Sequence, residues 1–480
     1  MVQRQRGRYA AFGNGQPASQ PGRSLVPDPR RGPQPEPANG AFGDPAAWRG
    51  LWAPRISRRG LMRAGALAGG ATAVAGVLGV TGLSGLLAAC GDAAPATSAT
   101  SAGTDAVGSP AWWRKQHLHY TVNFANWADY IDVLNNKHPT LEHFTDLTRI
   151  RVNYTEPVSE NVPFYNTIRP ALERKEYTGY DIIVTTNNSP ALGELIDNGW
   201  LIPLDQSMMN NFRAYAGSLV RNPPWDPGNT YTMAWQSGWT AIGYNSAEIT
   251  DPGDSVQILF DKRYAGRVGM MSDTYELGSV GLLAIGVDPA TSTEADWHKA
   301  ASLLQKQKSE GIVRGYYDQS YIDALKHGEI IVSQAFSGDI FQANLQERYR
   351  DLQLLMPAEG GMFWTDNMCI PMHAESPKDA MALMDYFYQP QVEAVVEYYN
   401  NYVCPVPDAR LVLLHPDGWA AQELAAMRRE VGKPPSYTAG SSLVFPTPQY
   451  RSRSKGYRQF QSAEELALWD RLFGTIPSRS

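Results

Sequence analysis

The sequence predicts an α/β fold built from two units. Short apolar, β-branched runs such as 181–185 alternate with stretches of helical pattern such as 190–198, which ends at Gly199. Alternation of this kind is typical of parallel βαβ units. At 480 residues the chain is also longer than one typical domain. Ligands of such sheets bind beyond the carboxyl ends of the strands, so the loops at 126–130 and 186–189 are candidate binding positions.

The remaining elements follow from the same patterns. In the first unit the predicted strands are 117–122, 150–154 and 181–185, and the predicted helices are 140–148 and 190–198. The second unit begins after 238–245, and its predicted helices are 294–310, 321–326 and 341–348. Ser376 followed by Pro377 predicts an N-cap with proline at the first helical position, opening a helix towards Tyr388.

The N-terminal region predicts export. Residues 1–56 are rich in Pro, Gly, Arg and Gln and are expected to be disordered. Arg58 and Arg59 then precede an uncharged run, and the segment 57–89 resembles a twin-arginine export signal. The run is long enough for a permanent membrane helix, but its Gly and Ala content favours a signal. It ends in Leu-Ala-Ala-Cys, which resembles a lipobox and predicts lipidation of Cys90, followed by a flexible linker over 90–114.

Charge is unevenly distributed. Residues 1–89 contain eleven Arg, no Lys and three acids, so they carry +8, and since the whole chain carries −6 the remainder carries −14. An acidic body argues against nucleic acid as a partner, because nucleic acid requires clustered Lys and Arg. It is compatible with a cationic ligand.

The segment 360–371, GGMFWTDNMCIP, contains the most specific pattern for a ligand. Trp364 and Asp366 are two residues apart, so on an extended strand their side chains leave the same face. An indole face and a carboxylate that converge in this way suit an organic ammonium ion. The alternative is a core tryptophan beside a surface aspartate.

Three further clusters combine acids with aromatic residues or with each other. Asp273 and Glu276 are spaced i, i+3 and could hold an ammonium group, although the same spacing predicts a helix capping box, and both roles can coexist. The other two clusters are Trp127 with Asp129 and Tyr130, and Phe336 with Asp339. Each is weak alone, but four such clusters in one chain favour a binding site for a cation.

Other chemistries have less support. The pairs Tyr398–Tyr399 and Tyr316–Tyr317 could bind ferric iron, but structural packing is the favoured interpretation. The histidines form no zinc pattern, and the common nucleophile, phosphate-binding and dinucleotide motifs are absent. The sequence therefore predicts no metal, no cofactor and no enzyme, leaving an exported hydrolase as an alternative that lacks a nucleophile–base pair. Cys369 and Cys404 could form a disulfide outside the cytoplasm, although two separate buried thiols are favoured.

From about residue 118 to 407 the chain resembles the spermidine/putrescine-binding components of bacterial ABC importers. The motifs that carry the resemblance are NWADY at 126–130, GYDIIV at 179–184, PPWDPGN at 223–229, TAIGYN at 240–245 and FWTD at 363–366. The resemblance implies a two-lobed, type II periplasmic-binding-protein-like fold whose hinge-linked lobes close over a cleft. The implied division is 115–240 for lobe 1, 241–362 for lobe 2, 363–410 for a return to lobe 1, and 411–480 for a C-terminal segment mainly in lobe 2.

The resemblance also implies which residues contact ligand. Asp366 would be the main amine anchor and Trp364 the wall of the pocket. The other implied contacts are Trp127, Asp129, Tyr130, Thr186, Asn188, Asp273, Glu276, Phe336, Asp339 and Tyr402. The implied protein is a monomeric receptor, lipid-anchored at the outer face of the cytoplasmic membrane, that delivers a polyamine to an ABC permease. A receptor for another cation or for ferric ion is the alternative within the same class.

Overall fold

The computed structural model describes residues 106–128, 130–345 and 349–477. The export signal with Arg58 and Arg59, the lipidation residue Cys90 and the proposed contact Asp129 therefore lie outside the described residues. In the described part of the chain, no helix combines the length and the apolar composition needed to cross a bilayer.

The strands of the described chain belong to one sheet. Their bounds are β1 Thr121–Trp127, β2 Arg151–Val158, β3 Ile182–Thr186, β4 Thr232–Asn245, β5 Val268–Met271, β6 Val313–Tyr317, β7 Val332–Phe336, β8 Leu352–Leu355, β9 Gly361–Cys369 and β10 Ser454–Lys455. Their order is β2-β1-β3-β9-β4-β7-β5-β6, with β8 paired to β4 and β10 paired to β9.

Two long antiparallel strands, β4 and β9, join two parallel halves of this sheet. On one side β1 pairs in parallel with β2 and β3, and we call this half, with its helices, lobe 1. On the other side β5 pairs in parallel with β6 and β7, and this half is lobe 2. Strand β4 leads from lobe 1 to lobe 2, and β9 pairs along it in the opposite direction. The predicted two-lobed α/β fold is therefore confirmed, and we call β4 and β9 the crossing strands.

Helices cover both halves. Those packed in lobe 1 are α1 Pro110–Lys115, α2 Pro139–Thr148, α3 Asn161–Glu173, α4 Pro190–Asp197, α5 Asn210–Tyr215, α10 Pro377–Tyr386 and α11 Pro390–Asn400. Those packed in lobe 2 are α6 Thr274–Ala284, α7 Glu294–Ser309, α8 Tyr321–Lys326, α9 Ser337–Asn344 and α16 Ala463–Phe473. The remaining helices are α12 Ala409–Leu414, α13 Gly418–Val431, α14 Pro435–Gly440 and α15 Pro448–Ser452.

Separate apolar clusters hold the two lobes and the crossing. In lobe 1, Ile183 of β3 packs with residues of α3 and α4 such as Ile168 and Leu195. In lobe 2, residues of α8 and α9 form a second cluster. A third cluster contains Trp239 and Phe363 of the crossing strands. Because each lobe has its own core, the crossing strands are where the lobes can move relative to each other.

Two predicted elements are displaced along the chain. The first strand begins at Thr121 rather than at 117, because the carboxylate of Asp379 accepts the backbone N–H groups of His119 and Tyr120. These groups are thereby satisfied outside the sheet. The helix predicted over 341–348 is α9, which begins at Ser337, directly after β7. Ser337-Gly338 has the composition of a turn, but here it forms the first turn of the helix.

The chain ends also differ from expectation. The predicted linker 90–114 is wrong for its last residues, since α1 begins at Pro110, and the indole of the buried Trp113 donates to the Pro203 carbonyl at 2.9 Å. The C-terminal segment is divided between the two lobes. Helices α12 and α13 pack on α11, and Trp419 stacks on His143 of α2 at 4.0 Å. The later part packs on lobe 2, where Tyr457 donates to Glu276, Phe460 meets Trp297 and α16 lies against α6 and α7.

Candidate ligand-binding site

Asp366 lies in the middle of the crossing strand β9. On one side it pairs with Thr186 at the end of β3, and on the other with Gln236 of β4. This places its carboxylate between the lobes, because β9 runs from its pairing with β4 and β10 towards its pairing with β3 in lobe 1.

The carboxylate of Asp366 is buried among hydroxyl groups. Its Oδ2 accepts a hydrogen bond of 2.7 Å from Tyr130 Oη, and its Oδ1 accepts one of 2.5 Å from Thr186 Oγ1. Burial raises the pKa of Asp366 to about 6, although both hydrogen bonds act in the opposite direction. Among the described residues, no lysine or arginine forms an ion pair with it. A buried carboxylate in such surroundings is suited to bind a cation.

An aromatic wall stands beside this carboxylate. The Trp364 ring lies between Phe336, at 5.8 Å and 87°, and Tyr402, at 5.5 Å and 62°. Tyr130 meets Tyr402 edge-on at 5.4 Å. Gly238 pairs with Trp364 across the crossing strands, and a Cβ on it would lie 2.5 Å from the indole. The absence of a side chain there lets the indole rest on the backbone of β4.

Asp339 adds a second carboxylate to the same wall. Its Oδ2 accepts a hydrogen bond from Tyr321 Oη at 2.6 Å and its Oδ1 accepts one from Tyr402 Oη at 3.1 Å. Burial raises the pKa of Asp339. A Cβ on Gly338 would lie 2.3 Å from the Tyr402 ring, so this glycine allows α9 to approach the tyrosine. Tyr402 therefore connects the lobe 2 acid to the crossing region.

Glu276 of lobe 2 provides a third buried carboxylate, which contacts a residue of lobe 1. Its Oε1 accepts hydrogen bonds from Tyr457 Oη at 2.6 Å and from Asn188 Nδ2 at 3.3 Å. Its Oε2 is buried and has no hydrogen-bond partner among the described residues. Burial, and then the charge of Asp273, raise the pKa of Glu276 to about 8. The Asn188–Glu276 contact joins the lobes, since Asn188 follows β3 and Glu276 is in α6.

Asp273 has the capping role that its spacing predicts. Its Oδ1 accepts the backbone N–H groups of Tyr275 and Glu276 at 2.9 and 3.0 Å, at the start of α6. The side chain of Glu276 is directed to Tyr457 and Asn188, so the capping box is only half formed. One carboxylate of the pair therefore caps the start of the helix, and the other remains available to the cleft.

The structure brings most of the predicted contacts together. Seven of them form one connected group around the aromatic wall: Tyr130, Thr186, Phe336, Asp339, Trp364, Asp366 and Tyr402. Asn188 and Glu276 form a second group. Trp127 ends β1, and its half-buried ring packs against the lobe 1 core, not against the aromatic wall.

Sequence reasoning missed three residues that hold the carboxylates in place. Tyr321 and Tyr457 donate to Asp339 and Glu276, and Asn161 brackets Thr186 by donating to its hydroxyl and accepting its backbone N–H, both at 3.0 Å. Tyr457 is 181 residues from Glu276 in the chain. No local pattern marks any of the three, because their role depends on tertiary contacts.

The cysteines and the tyrosine pairs carry two alternatives that the sequence leaves open. Cys369 and Cys404 are both free and buried, as the favoured interpretation predicts, so the disulfide is not formed. Tyr398 is fully buried, and its hydroxyl donates to the Lys433 carbonyl. Tyr316 lies on β6 in the other lobe. The two pairs do not converge on one position, which argues against a ferric site made of them.

Residues 140–426 match the family of bacterial extracellular solute-binding proteins, a range that includes parts of both lobes and both crossing strands. The chain belongs to this family. The resemblance stated above is thus confirmed at the level of the family, and this solute-binding protein is not an enzyme.

Among known relatives, this solute-binding protein is 26% identical over 295 residues to the spermidine/putrescine-binding periplasmic protein of Salmonella typhimurium, covering 61% of this chain and 80% of that one. It is 27% identical over 321 residues to a putrescine-binding periplasmic protein of Pseudomonas aeruginosa, covering 63% and 83%.

Solved structures agree on the fold. A spermidine/putrescine ABC transporter substrate-binding protein of Streptococcus pneumoniae superposes with a TM-score of 0.61 at 20% identity, covering 74% of this chain and 98% of that one. A lipoprotein of Treponema pallidum superposes with a TM-score of 0.59 at 16% identity, covering 74% and 99%.

Proposed function

We propose that this solute-binding protein captures a polyamine such as putrescine or spermidine and delivers it to an ABC permease. The observation that carries the proposal is the buried carboxylate of Asp366, held by two hydroxyl donors beside the Trp364 indole, with no lysine or arginine of the described residues paired to it. An ammonium group supplies the missing charge and donors, and the indole face adds a cation–π contact.

Two groups of acids suit a ligand with more than one charge. Asp339 lies at the aromatic wall with Asp366, and Glu276 lies at the contact between the lobes. The Trp364 and Phe336 rings offer apolar surface for methylene groups. Because ligand contacts come from both lobes and from the crossing strands, binding would favour the closed arrangement.

The remaining parts of the proposal rest on sequence and on relatives. We assign export to the twin-arginine segment, lipid anchoring to Cys90 and a monomeric state to the receptor. The Treponema pallidum lipoprotein supports an anchored form. The lobe boundaries near 240 and 362 stay part of the proposal, and both fall inside crossing strands.

Isothermal titration calorimetry against putrescine, spermidine and spermine tests the ligand class. We expect saturable binding of at least one of them with one site per chain. Butane-1,4-diol is the matched control, since it keeps the putrescine chain and lacks both charges, and it should give no binding heat. Absence of binding with all three amines would contradict the polyamine assignment.

A further inference from the structure

A second set of buried acceptor atoms lies outside the aromatic wall. Glu393 and Glu397 are one turn apart on α11, and Cys404 lies four residues beyond the end of that helix. One ligand atom from each of the three lies within 4.8 Å of the others. All three are buried, at 1%, 0% and 7% exposure.

Several of these acceptor oxygens have no hydrogen-bond partner, and no described positive charge lies beside them. Both side-chain oxygens of Glu397 are buried without a hydrogen bond of normal geometry among the described residues, although the Tyr402 backbone N–H and the Cys404 thiol lie nearby. Gln236 donates its Nε2 to Glu393 Oε1 at 3.1 Å, but its own Oε1 is fully buried and unpartnered. No described lysine or arginine is near either glutamate. Two buried carboxylates beside an amide oxygen, with most of these oxygens unpartnered, would destabilise the fold unless a cation or bound protons complete the group.

We propose that Glu393, Glu397 and Cys404 bind one divalent cation of the zinc class, and that the Gln236 amide, whose Nε2 now faces Glu393, turns over to offer its oxygen as fourth ligand. A mixed set of sulfur and oxygen ligands suits a borderline-soft ion, and four ligands match the tetrahedral geometry of closed structural sites. Such a geometry places ligand atoms about 3.3–3.8 Å apart. Because the ligand atoms now lie within 4.8 Å of one another, the side chains would have to move closer by roughly 1 Å.

Binding requires the loss of protons from Cys404 and from the buried glutamates, whose carboxyl protons leave to solvent as Glu393 and Glu397 become ligands. The Cys404 thiol now donates to the Val406 carbonyl at 3.1 Å. On coordination the thiol proton leaves to solvent and the sulfur binds as thiolate, because a coordinating thiol is deprotonated. The cation then neutralises two of the three negative charges in this group.

The cation would have a positioning role for the ligand cleft. Gln236 pairs directly with Asp366 across the crossing strands. Asn400, at the end of α11, donates its Nδ2 to the Tyr130 carbonyl at 2.9 Å, and Tyr402 follows two residues later. Fixing the end of α11 would therefore fix the backbone of two residues of the aromatic wall. The inference does not depend on which solute occupies the cleft.

The sequence alone predicts no metal here. Glu393 and Glu397 belong to an amphipathic helical pattern, and a single cysteine seven residues beyond Glu397 matches no common ligand spacing. Only the fold brings Gln236, 157 residues away from Glu393, to the same point.

Cobalt substitution in the full-length chain tests the proposal. After treatment with a chelator, Co²⁺ is titrated and absorption is recorded, with zinc content measured in parallel by mass spectrometry. We expect one ion per chain, a near-ultraviolet sulfur-to-cobalt band and visible bands of tetrahedral Co²⁺. Cys404→Ser should remove the sulfur band. Cys369→Ser is the matched control, because Cys369 is also free and buried but lies on the crossing strand β9. This substitution should leave the sulfur band unchanged.

Glu397→Gln keeps the shape of the side chain, and we expect it to weaken Co²⁺ binding at least ten-fold while circular dichroism shows a folded chain. A folded wild-type protein that binds neither ion would overturn the proposal, and so would a sulfur band that survives in Cys404→Ser. In either case the two glutamates are neutral carboxyls that share protons. Polyamine calorimetry on the same samples is a separate readout, so failure of one proposal is distinguishable from failure of the other.

Discussion

Tyr130 donates a hydrogen bond of 2.7 Å to Asp366, although 236 residues separate them in the chain. The tyrosine follows the first strand of lobe 1, and the aspartate lies on the strand that returns from lobe 2. The bond therefore ties the proposed ligand-binding carboxylate, on a crossing strand, to lobe 1. Five predictions follow from this group and its neighbours.

Asp366→Asn should weaken polyamine binding by about 2–5 kcal/mol, because a bound ammonium would lose its charged partner in a buried position. Calorimetry with putrescine and spermidine measures the effect. Asp146→Asn is the control, since Asp146 is exposed on α2, and its affinity should match that of the wild type. Equal affinities in all three proteins would refute the anchoring role of Asp366.

Tyr130→Phe should weaken binding about ten-fold or more, because a hydrogen bond to a charged group contributes about 1.5–3 kcal/mol. Loss of this donor also makes Asp366 harder to ionise, so the pH below which binding fails should move upward. Tyr165→Phe is the matched control, since Tyr165 donates to Glu194 at 2.6 Å within lobe 1. The hypothesis fails if the two variants behave alike.

Affinity should depend on pH in a defined direction. Burial raises the pKa of Glu276 to about 8 and that of Asp366 to about 6. An ammonium ligand favours the ionised carboxylates, so affinity should fall as pH decreases below about 8 and fall further through 6. Calorimetry between pH 5 and 9 in buffers of different ionisation enthalpy should also show proton release on binding. A flat profile would contradict the assignment.

The ligand-free protein should show the opposite trend in stability. Both carboxyls are harder to ionise in the folded protein than in the unfolded chain, where their ordinary pKa values are 3.8 and 4.5. The folded state therefore holds more protons between about pH 4 and 8, and their contribution to the free energy of unfolding falls as pH rises through that range. Urea unfolding of the wild type and of Glu276→Gln, in which one of these groups no longer titrates, measures the difference.

Much of the site was predictable because its residues lie in local patterns. Trp364 and Asp366 share a strand, and Asp273 and Glu276 share a helical turn, so spacing alone indicates their relation. The partners Tyr321, Tyr457 and Asn161 were not predictable, since each reaches its carboxylate or hydroxyl only through tertiary packing. The fold class follows from strand and helix periodicity in the same way. The course of α12 to α14 over lobe 1 does not, because it depends on contacts with α11.

Gly238→Ala should weaken polyamine binding without unfolding the protein. A Cβ at this position would lie 2.5 Å from the Trp364 indole, so the ring must tilt away from β4 and lose its fixed place beside Asp366. We expect the affinity to fall several-fold. The change in tryptophan fluorescence on ligand addition should also differ from that of the wild type. Gly193→Ala is the matched control, because Gly193 lies in α4 with nothing within 4 Å of its added Cβ. Alanine in that helix should keep wild-type affinity and stabilise the fold by up to about 1 kcal/mol. If Gly238→Ala retains wild-type affinity, the indole does not act as a wall for the ligand.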